Sequence, residues 1–265
     1  MIFGKKRHNQ PRDGRERVLL RMAREDAFLP LKRLQSGIGA WSAQYQSAEP
    51  FPHIVLDDLF DPELLACIDE EFPEPDRQDD WLTFRKDNEW LKNATAADRQ
   101  IPFLTRHFLY ALNSRTFIAW LEELTGIKGL IADTEFFGGG LHATLPGGRL
   151  EVHADFNKHL RNGLDRRLNL LLYLNRDWSQ DWGGDLELWD AELKACRRLL
   201  APVFNRMVIF STTDFSFHGH PEPLRCPEGR IRKSIALYYF SRGRPPEEVS
   251  DAHLTNYRQR PAGNE

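Results

Sequence analysis

The chain has 265 residues, 41% of them hydrophobic, and it contains 7 Trp and 17 Phe. This composition can fill the core of an enzyme-sized domain and excludes a mostly disordered protein. Three cysteines without a CxxC pair exclude a disulfide scaffold and a four-cysteine zinc site. No run approaches the ~18 apolar residues of a membrane span, and no apolar segment follows the basic N-terminus as in a signal peptide. We therefore expect a cytoplasmic protein with no membrane partner.

Charge is distributed unevenly along the chain, whose net charge is -3. Residues 1–36 contain ten Lys or Arg against four Asp or Glu. Apolar residues such as Val18 and Met22 recur there at helical spacing, and Pro30 breaks the pattern. The segment lacks the interleaved basic and aromatic residues of nucleic-acid-binding segments, so no nucleic-acid partner is expected. We predict a basic helical N-terminal extension over residues 1–36.

The front half of the remaining chain is predicted to be mainly helical. A short apolar run predicts a strand over residues 53–56, and Asp61 then provides an N-cap for a helix over 62–71. Residues 74–100 are polar and give no clear pattern. Residues 101–126 repeat apolar side chains with a helical period and predict two helices before the terminal glycine.

From residue 130 the pattern changes to short apolar runs separated by Gly, Pro and Asp, which predict at least five strands. Because no helical patterns intervene, an antiparallel double sheet of the jelly-roll type is favoured over a parallel α/β sheet. The fold class is therefore α+β, mainly β, with the front helices packed on the outer sheet. We predict one domain over residues 37–241, with its β core at about 130–241, and a polar tail over 242–265.

Three residues at the ends of predicted strands form a candidate metal site. His153 and Asp155 lie two apart, so their side chains project from the same face of a strand. The pair alone is a weak signal, but His218 follows at the end of another apolar strand. Two histidines and one carboxylate form the facial triad of non-haem Fe(II) oxygenases. His220 remains an alternative distal ligand, although Gly219 and the following proline indicate that the chain is turning there.

Three further residues are candidates for binding a ligand. Arg232 opens the last apolar strand, where its fork can hold a carboxylate in bidentate fashion. Asn169, Leu171 and Tyr173 share one face of a strand by alternation, so two polar groups could line the same pocket. A phenol beside the arginine could share that carboxylate.

Taken in order, these motifs resemble the 2-oxoglutarate and Fe(II)-dependent oxygenases, and most closely their prolyl-4-hydroxylase-like branch. The resemblance covers about residues 130–241, with a weaker one in FPHIVLDDLFDPELL. The motifs that carry it are His153-x-Asp155, YLN at 173–175 followed by RDW, GGxLxL at 183–188, the distal histidine, and RxS at 232–234.

The resemblance implies a double-stranded β-helix with His153, Asp155 and His218 as iron ligands. It also implies that Arg232, with help from Tyr173, holds 2-oxoglutarate. The implied activity is a dioxygenase that consumes O2, hydroxylates a substrate and releases succinate and CO2, with ascorbate as the expected reductant. The substrate would be a peptidyl residue or a polar small molecule.

The chain departs from the branch at one contact. The hypoxia-factor enzymes carry a tyrosine before the Pro-Gly of the strand that leads into His-x-Asp, whereas this chain has Leu145. One co-substrate contact is therefore missing, and Asn169 is the candidate to replace it. Basic residues in the loop 157–167 indicate an anionic or polar substrate.

A second function remains open on the sequence: a cupin-like binding module that retains a metal without turnover. A zinc hydrolase is disfavoured because the chain has no HExxH motif. The sequence leaves the substrate and the oligomeric state open.

Overall fold

A computed structural model describes residues 28–75, 81–95 and 98–260. The helical extension predicted over residues 1–36 lies largely outside these ranges. None of the helices within them is long and apolar enough to cross a membrane.

The described residues form four α-helices and twelve strands. The helices are α1 (Leu31–Gln46), α2 (Pro62–Glu70), α3 (Phe103–Leu112) and α4 (Arg115–Thr125). The strands are β1 (His53–Asp57), β2 (Leu82–Lys86), β3 (Glu89–Ala94), β4 (Ile131–Ala132), β5 (Gly140–Ala154), β6 (Asp165–Tyr173), β7 (Leu186–Trp189), β8 (Cys196–Leu200), β9 (Arg206–Ser211), β10 (His218–His220), β11 (Arg232–Ser241) and β12 (Asn256–Tyr257).

Local signals in the sequence account for the ends of the predicted helices. Asp61 accepts a hydrogen bond from the backbone N–H of Glu63 at 2.9 Å and so caps α2. Ser114 separates α3 from α4 and caps the second of them. Gly126 ends α4 with φ of 77°, a left-handed conformation that glycine adopts without steric cost. The strand before α2 and the two helices before residue 126 are therefore as predicted.

Two features of the front half differ from the prediction. β2 and β3 form a hairpin in the polar segment that gave no pattern, and β3 pairs with β5. Most side chains of β2 are exposed, so an apolar alternation had no reason to appear there. Helix α1 runs across the boundary predicted at residue 36, because it packs on the domain through buried Leu34 and Tyr45. The Tyr45 hydroxyl lies 2.6 Å from the Ser211 hydroxyl of β9.

The strands form one curled antiparallel sheet in the order β1-β9-β6-β11-β5-β10-β7-β8. β5 links its two halves: Thr144 pairs with Arg232 of β11, whereas Leu150 pairs with His220 of β10. Between these positions the strand carries a bulge, since Thr144 pairs with Lys92 of β3 but Arg149 pairs with Trp90, and a bulge of this kind bends a strand. The bend carries one strand from the pairing with Arg232 to the pair His153 and Asp155.

Successive side chains of β6 point alternately to the hydrophobic core and to a pocket on the other face of the sheet. Leu168, Leu170 and Leu172 are buried in the cluster that includes all four helices, so the helices cover the outer face of the sheet as predicted. Asn169 and Leu171 point the other way and line a pocket. The helical layer and the β layer therefore share one hydrophobic core.

The C-terminal segment is not simply a polar tail. β12 pairs with β5, where Tyr257 lies opposite His153. The backbone N–H of Arg258 also bonds the carbonyl of Val152 at 2.8 Å. These backbone hydrogen bonds do not depend on side-chain hydrophobicity, so the composition of residues 242–265 did not reveal them.

Replacing Phe108 of α3 by alanine should destabilise the protein by about 3–5 kcal/mol, because a fully buried aromatic ring would leave a cavity. The ring packs edge-on against Phe60 with centroids 5.1 Å apart. Urea denaturation followed by tryptophan fluorescence measures the effect. Phe103→Ala on the same helix is the control, since Phe103 is 54% exposed and should change stability by less than about 0.5 kcal/mol. Equal effects of the two substitutions would contradict the shared core.

Candidate active site

The end of β5 and the start of β10 bring His153, Asp155 and His218 together. His153 and His218 are direct neighbours in the pairing of β5 with β10. One potential ligand atom from each of the three residues lies within 4.8 Å of the others. The Nε2 atoms of the two histidines lie 3.7 Å and 3.5 Å from the Asp155 carboxylate. The alternative ligand His220 does not belong to this cluster.

Hydrogen bonds orient both imidazoles for metal binding. Nδ1 of His153 lies 2.8 Å from the carbonyl oxygen of Glu151, and Nδ1 of His218 lies 3.0 Å from that of Ser216. A carbonyl oxygen only accepts, so each Nδ1 carries the proton and each Nε2 presents a lone pair to the cluster. Two neutral imidazoles and one carboxylate fit the donor set that Fe(II) takes in non-haem oxygenases.

The surroundings favour the protonation states that a metal requires. Burial, followed by the neighbouring His153, lowers the pKa of His218 to about 4. Burial alone would raise the pKa of Asp155, but Arg166 and His218 outweigh it and hold that pKa well below its usual value. His218 and Asp155 are thus in the protonation states that metal ligands need at neutral pH.

The Asp155 carboxylate is held from behind by two side chains of β6. Asn169 donates its amide to Oδ2 at 2.7 Å, and Arg166 lies 3.1 Å from the same oxygen. Arg166 also donates to Oδ1 of Asn169 from Nε at 3.0 Å and Nη2 at 2.7 Å, and its guanidinium lies 3.5 Å from the centroid of the Tyr238 ring. Both polar atoms of the Asn169 carboxamide therefore contact protein groups.

A bulge explains why alternation in the sequence did not single out Arg166. Leu168 pairs with Tyr239 but Arg166 pairs with the very next residue of β11, so the register shifts at Arg167. Regular alternation from Asn169 would have turned Arg167 toward the pocket. Instead Arg166 lines the pocket.

Arg232 and Tyr173 meet beside the same pocket. Arg232 is 5% exposed, and its Nε donates to the carbonyl of Gly184 at 2.7 Å. Its Nη2 donates to the Tyr173 hydroxyl at 3.3 Å. Gly184 has φ of 78°, and a Cβ there would lie 3.1 Å from Cδ of Arg232. The GGxLxL motif therefore provides space for the arginine as well as an acceptor for it.

The pocket has a volume of about 690 Å³ and extends from the histidine–aspartate cluster to Arg232. His220 also lines it, and burial followed by Arg232 holds the pKa of His220 well below its ordinary value. The loop that follows β5, residues 157–167, contributes less net positive charge to the pocket than its sequence indicates. Arg167 is paired with Glu248. Arg161, which is exposed, is paired with Glu135.

The C-terminal segment forms one edge of the pocket. Thr255 and Tyr257 line it, and the Tyr257 ring lies 5.5 Å from that of His153. Asn157 anchors the segment by donating to the carbonyl of Asp251 at 2.8 Å and accepting from the N–H of His253 at 2.9 Å. Nothing in the sequence around Tyr257 indicates a site residue, because only the strand pairing brings it there.

The anchor of this segment should depend on pH through His253. Its Nε2 lies 2.9 Å from Asp214. Burial lowers the pKa of His253, but the hydrogen bond with Asp214 outweighs it and the net shift is upward. A raised folded-state pKa contributes stability that is complete below the unfolded value of about 6.5 and is lost as the pH rises through the folded value. Hydrogen exchange of residues 250–258, corrected for intrinsic rates, should therefore accelerate over that window. His253→Gln should remove this step, and its persistence in the variant would contradict the assignment.

Comparison with known proteins agrees with this geometry. Residues 139–240 match the family model described as the 2OG-Fe(II) oxygenase superfamily. A segment of 85 residues, 31% of this chain, is 35% identical to the prolyl 3-hydroxylase OGFOD1 of Mus musculus and spans only 16% of that protein.

Two solved structures have the same fold. A prolyl hydroxylase of Trichoplax adhaerens, solved with a hypoxia-inducible-factor peptide fragment, aligns over 80% of this chain and 92% of its own with a TM-score of 0.60 and 16% identity. A prolyl-4-hydroxylase of Pseudomonas putida aligns over 76% of this chain and 99% of its own, with a TM-score of 0.54 and 18% identity. The predicted double-stranded β-helix is thereby confirmed. Residues 139–240 are therefore similar to the 2OG-Fe(II) oxygenase superfamily, and the fold is the one that these two prolyl hydroxylases have.

Proposed function

We propose that this protein is an Fe(II)- and 2-oxoglutarate-dependent dioxygenase that hydroxylates a peptidyl residue with release of succinate and CO2. The observation that carries the proposal is the pocket that joins a convergent His153, Asp155 and His218 to a buried Arg232. A non-catalytic cupin-like module would account for the metal ligands. It would not account for a buried arginine in the wall of the same pocket, hydrogen-bonded to the buried Tyr173 hydroxyl.

In this proposal, different residues of the chain bind the metal and the co-substrate. His153, Asp155 and His218 would hold Fe(II), which, when bound, supplies the site where 2-oxoglutarate and O2 react, with ascorbate as reductant. Arg232, supported by Tyr173, would orient the distal carboxylate of 2-oxoglutarate through charge-assisted hydrogen bonds.

Asn169 and Arg166 have a different role in this proposal. Their shared contacts with Oδ2 keep the Asp155 carboxylate in one orientation, so one oxygen remains for the metal. Asn169 then acts as a positioning residue for Asp155 and does not replace the missing tyrosine contact with 2-oxoglutarate. The Arg166 guanidinium lies over the Tyr238 ring and 4.5 Å from the centroid of the Phe156 ring, and these contacts limit its movement.

A peptidyl substrate is favoured by the named relatives, of which one is a prolyl 3-hydroxylase and another was solved with a peptide fragment. The charges at the pocket edge also fit a neutral residue better than an anionic metabolite, because Lys92 is paired with Glu89 and Arg161 with Glu135. The three free cysteines agree with a reducing compartment, and we place the protein in the cytoplasm.

Succinate formation tests the proposal. Purified protein with Fe(II), 2-oxoglutarate, O2 and ascorbate should release succinate, and omission of Fe(II) should stop it. A library of proline-containing peptides should then yield products heavier by one oxygen atom, detected by mass spectrometry. Absence of succinate with and without peptides, from protein that binds Mn(II), would favour the non-catalytic module.

A further inference from the structure

β10 carries two histidines, His218 and His220, that differ in their hydrogen bonding. Both are buried, with 5% and 4% of their surface exposed, and both line the pocket. Nδ1 of His218 bonds the carbonyl of Ser216. Nδ1 of His220 is buried and has no hydrogen-bond partner among the described residues.

This difference assigns opposite tautomers to the two rings. In a neutral imidazole one nitrogen donates and the other accepts. A buried N–H without an acceptor is costly and rare, so the proton of His220 belongs on Nε2. His218 therefore presents a lone pair to the site, whereas His220 presents an N–H donor.

The surroundings of His220 indicate what its N–H would contact. Buried Arg232 lines the same pocket as His220, and so does Ser234 two residues along β11. Nη2 of Arg232 donates to the Tyr173 hydroxyl. The guanidinium and the phenol together therefore place several N–H and O–H donors at this end of the pocket. A carboxylate, which only accepts hydrogen bonds when ionised, is the chemical group that such an arrangement suits.

We propose that His220 is a further binding residue for the 2-oxo acid and donates Nε2–H to the distal carboxylate that Arg232 holds. The proposal rests on the proposed function, because it assigns one more contact to the same co-substrate. It also explains why a second histidine on β10 points into the pocket without joining the metal ligands.

The binding of two related 2-oxo acids can test this contact without turnover. The dissociation constants of 2-oxoglutarate and of 2-oxopentanoate, which has the same chain length but no distal carboxylate, are measured by calorimetry on the full chain loaded with Mn(II). In His220→Leu the affinity for 2-oxoglutarate should fall roughly tenfold or more, while that for 2-oxopentanoate should change by less than about twofold. His220→Gln, which keeps an N–H donor, should recover most of the preference.

His142→Leu is the matched control. His142 also lines the pocket, but its Nε2 is 3.0 Å from the carbonyl of Gly138, so its loss should leave the ratio of the two affinities unchanged. An unchanged ratio in His220→Leu would overturn the proposal, as would loss of Mn(II) binding in that variant.

Failure of the proposed function has a different signature. In that case the unsubstituted chain would bind Mn(II) but would not distinguish the two acids, and both proposals would fall together. A chain that prefers 2-oxoglutarate in its unsubstituted form and keeps the full preference in His220→Leu would overturn the role of His220 alone.

Discussion

His218→Ala is expected to abolish succinate formation and to weaken metal binding strongly. The substitution removes one of three ligands and leaves His153 and Asp155, which are too few to hold Fe(II) in a facial arrangement. Mn(II) binding measured by electron paramagnetic resonance gives the metal affinity, and a succinate assay gives turnover. Circular dichroism verifies that the variant is folded.

Substitutions of two other histidines serve as controls for this experiment. His107→Ala on α3 should leave both quantities unchanged, because its ring contacts residues of its own helix, Phe103 and Tyr110, and does not line the pocket. His220→Ala should keep Mn(II) binding and should retain activity at saturating 2-oxoglutarate. The reverse outcome, with Mn(II) binding lost in His220→Ala and kept in His218→Ala, would move the ligand assignment to His220.

Arg232→Ala should raise the 2-oxoglutarate half-saturation concentration roughly tenfold to a hundredfold. A hydrogen bond between charged groups contributes more than a neutral one, and Arg232 is buried where water cannot replace it. Arg232→Lys should give an intermediate value, since the charge remains but the planar fork is lost. Initial rates of succinate formation over a range of 2-oxoglutarate concentrations measure the effect.

Arg230→Ala is the control for a loss of positive charge in the same region. Arg230 is exposed and lies over the ring of Trp182, so its removal should not change the half-saturation concentration. If Arg232→Ala behaved like Arg230→Ala, Arg232 would have no role in holding the co-substrate.

Several elements were predictable because their signals are local. The Asp61 cap, the glycine at 126 and the apolar periods determine where helices and strands begin and end. The two-residue spacing of His153 and Asp155 places both on one strand face, whatever the rest of the fold. The alternation of residues along β6 also distinguished its outer face from the face that bears Asn169.

Other parts of the site depend on which strands pair. A bulge at Arg167 turned Arg166 toward Asp155, and regular alternation would have predicted the opposite. Asn169, expected near the co-substrate, has its hydrogen bonds with Asp155 and Arg166. Pairing of β12 with β5 brought Tyr257 beside His153 from a segment whose composition indicated only a polar tail.

The sequence by itself determined the class of chemistry, since the types and order of His153, Asp155, His218 and Arg232 restrict the metal and the acid that could bind. Side-chain chemistry and strand periodicity are properties of neighbouring residues, so they can be read without the fold. Only the tertiary structure decided which histidine of β10 joins the metal cluster and which presents a donor. The first choice depends on strand pairing, since His218 lies opposite His153 whereas His220 lies opposite Leu150. The second depends on which Nδ1 has a hydrogen-bond acceptor, a difference that exists only in the folded sheet.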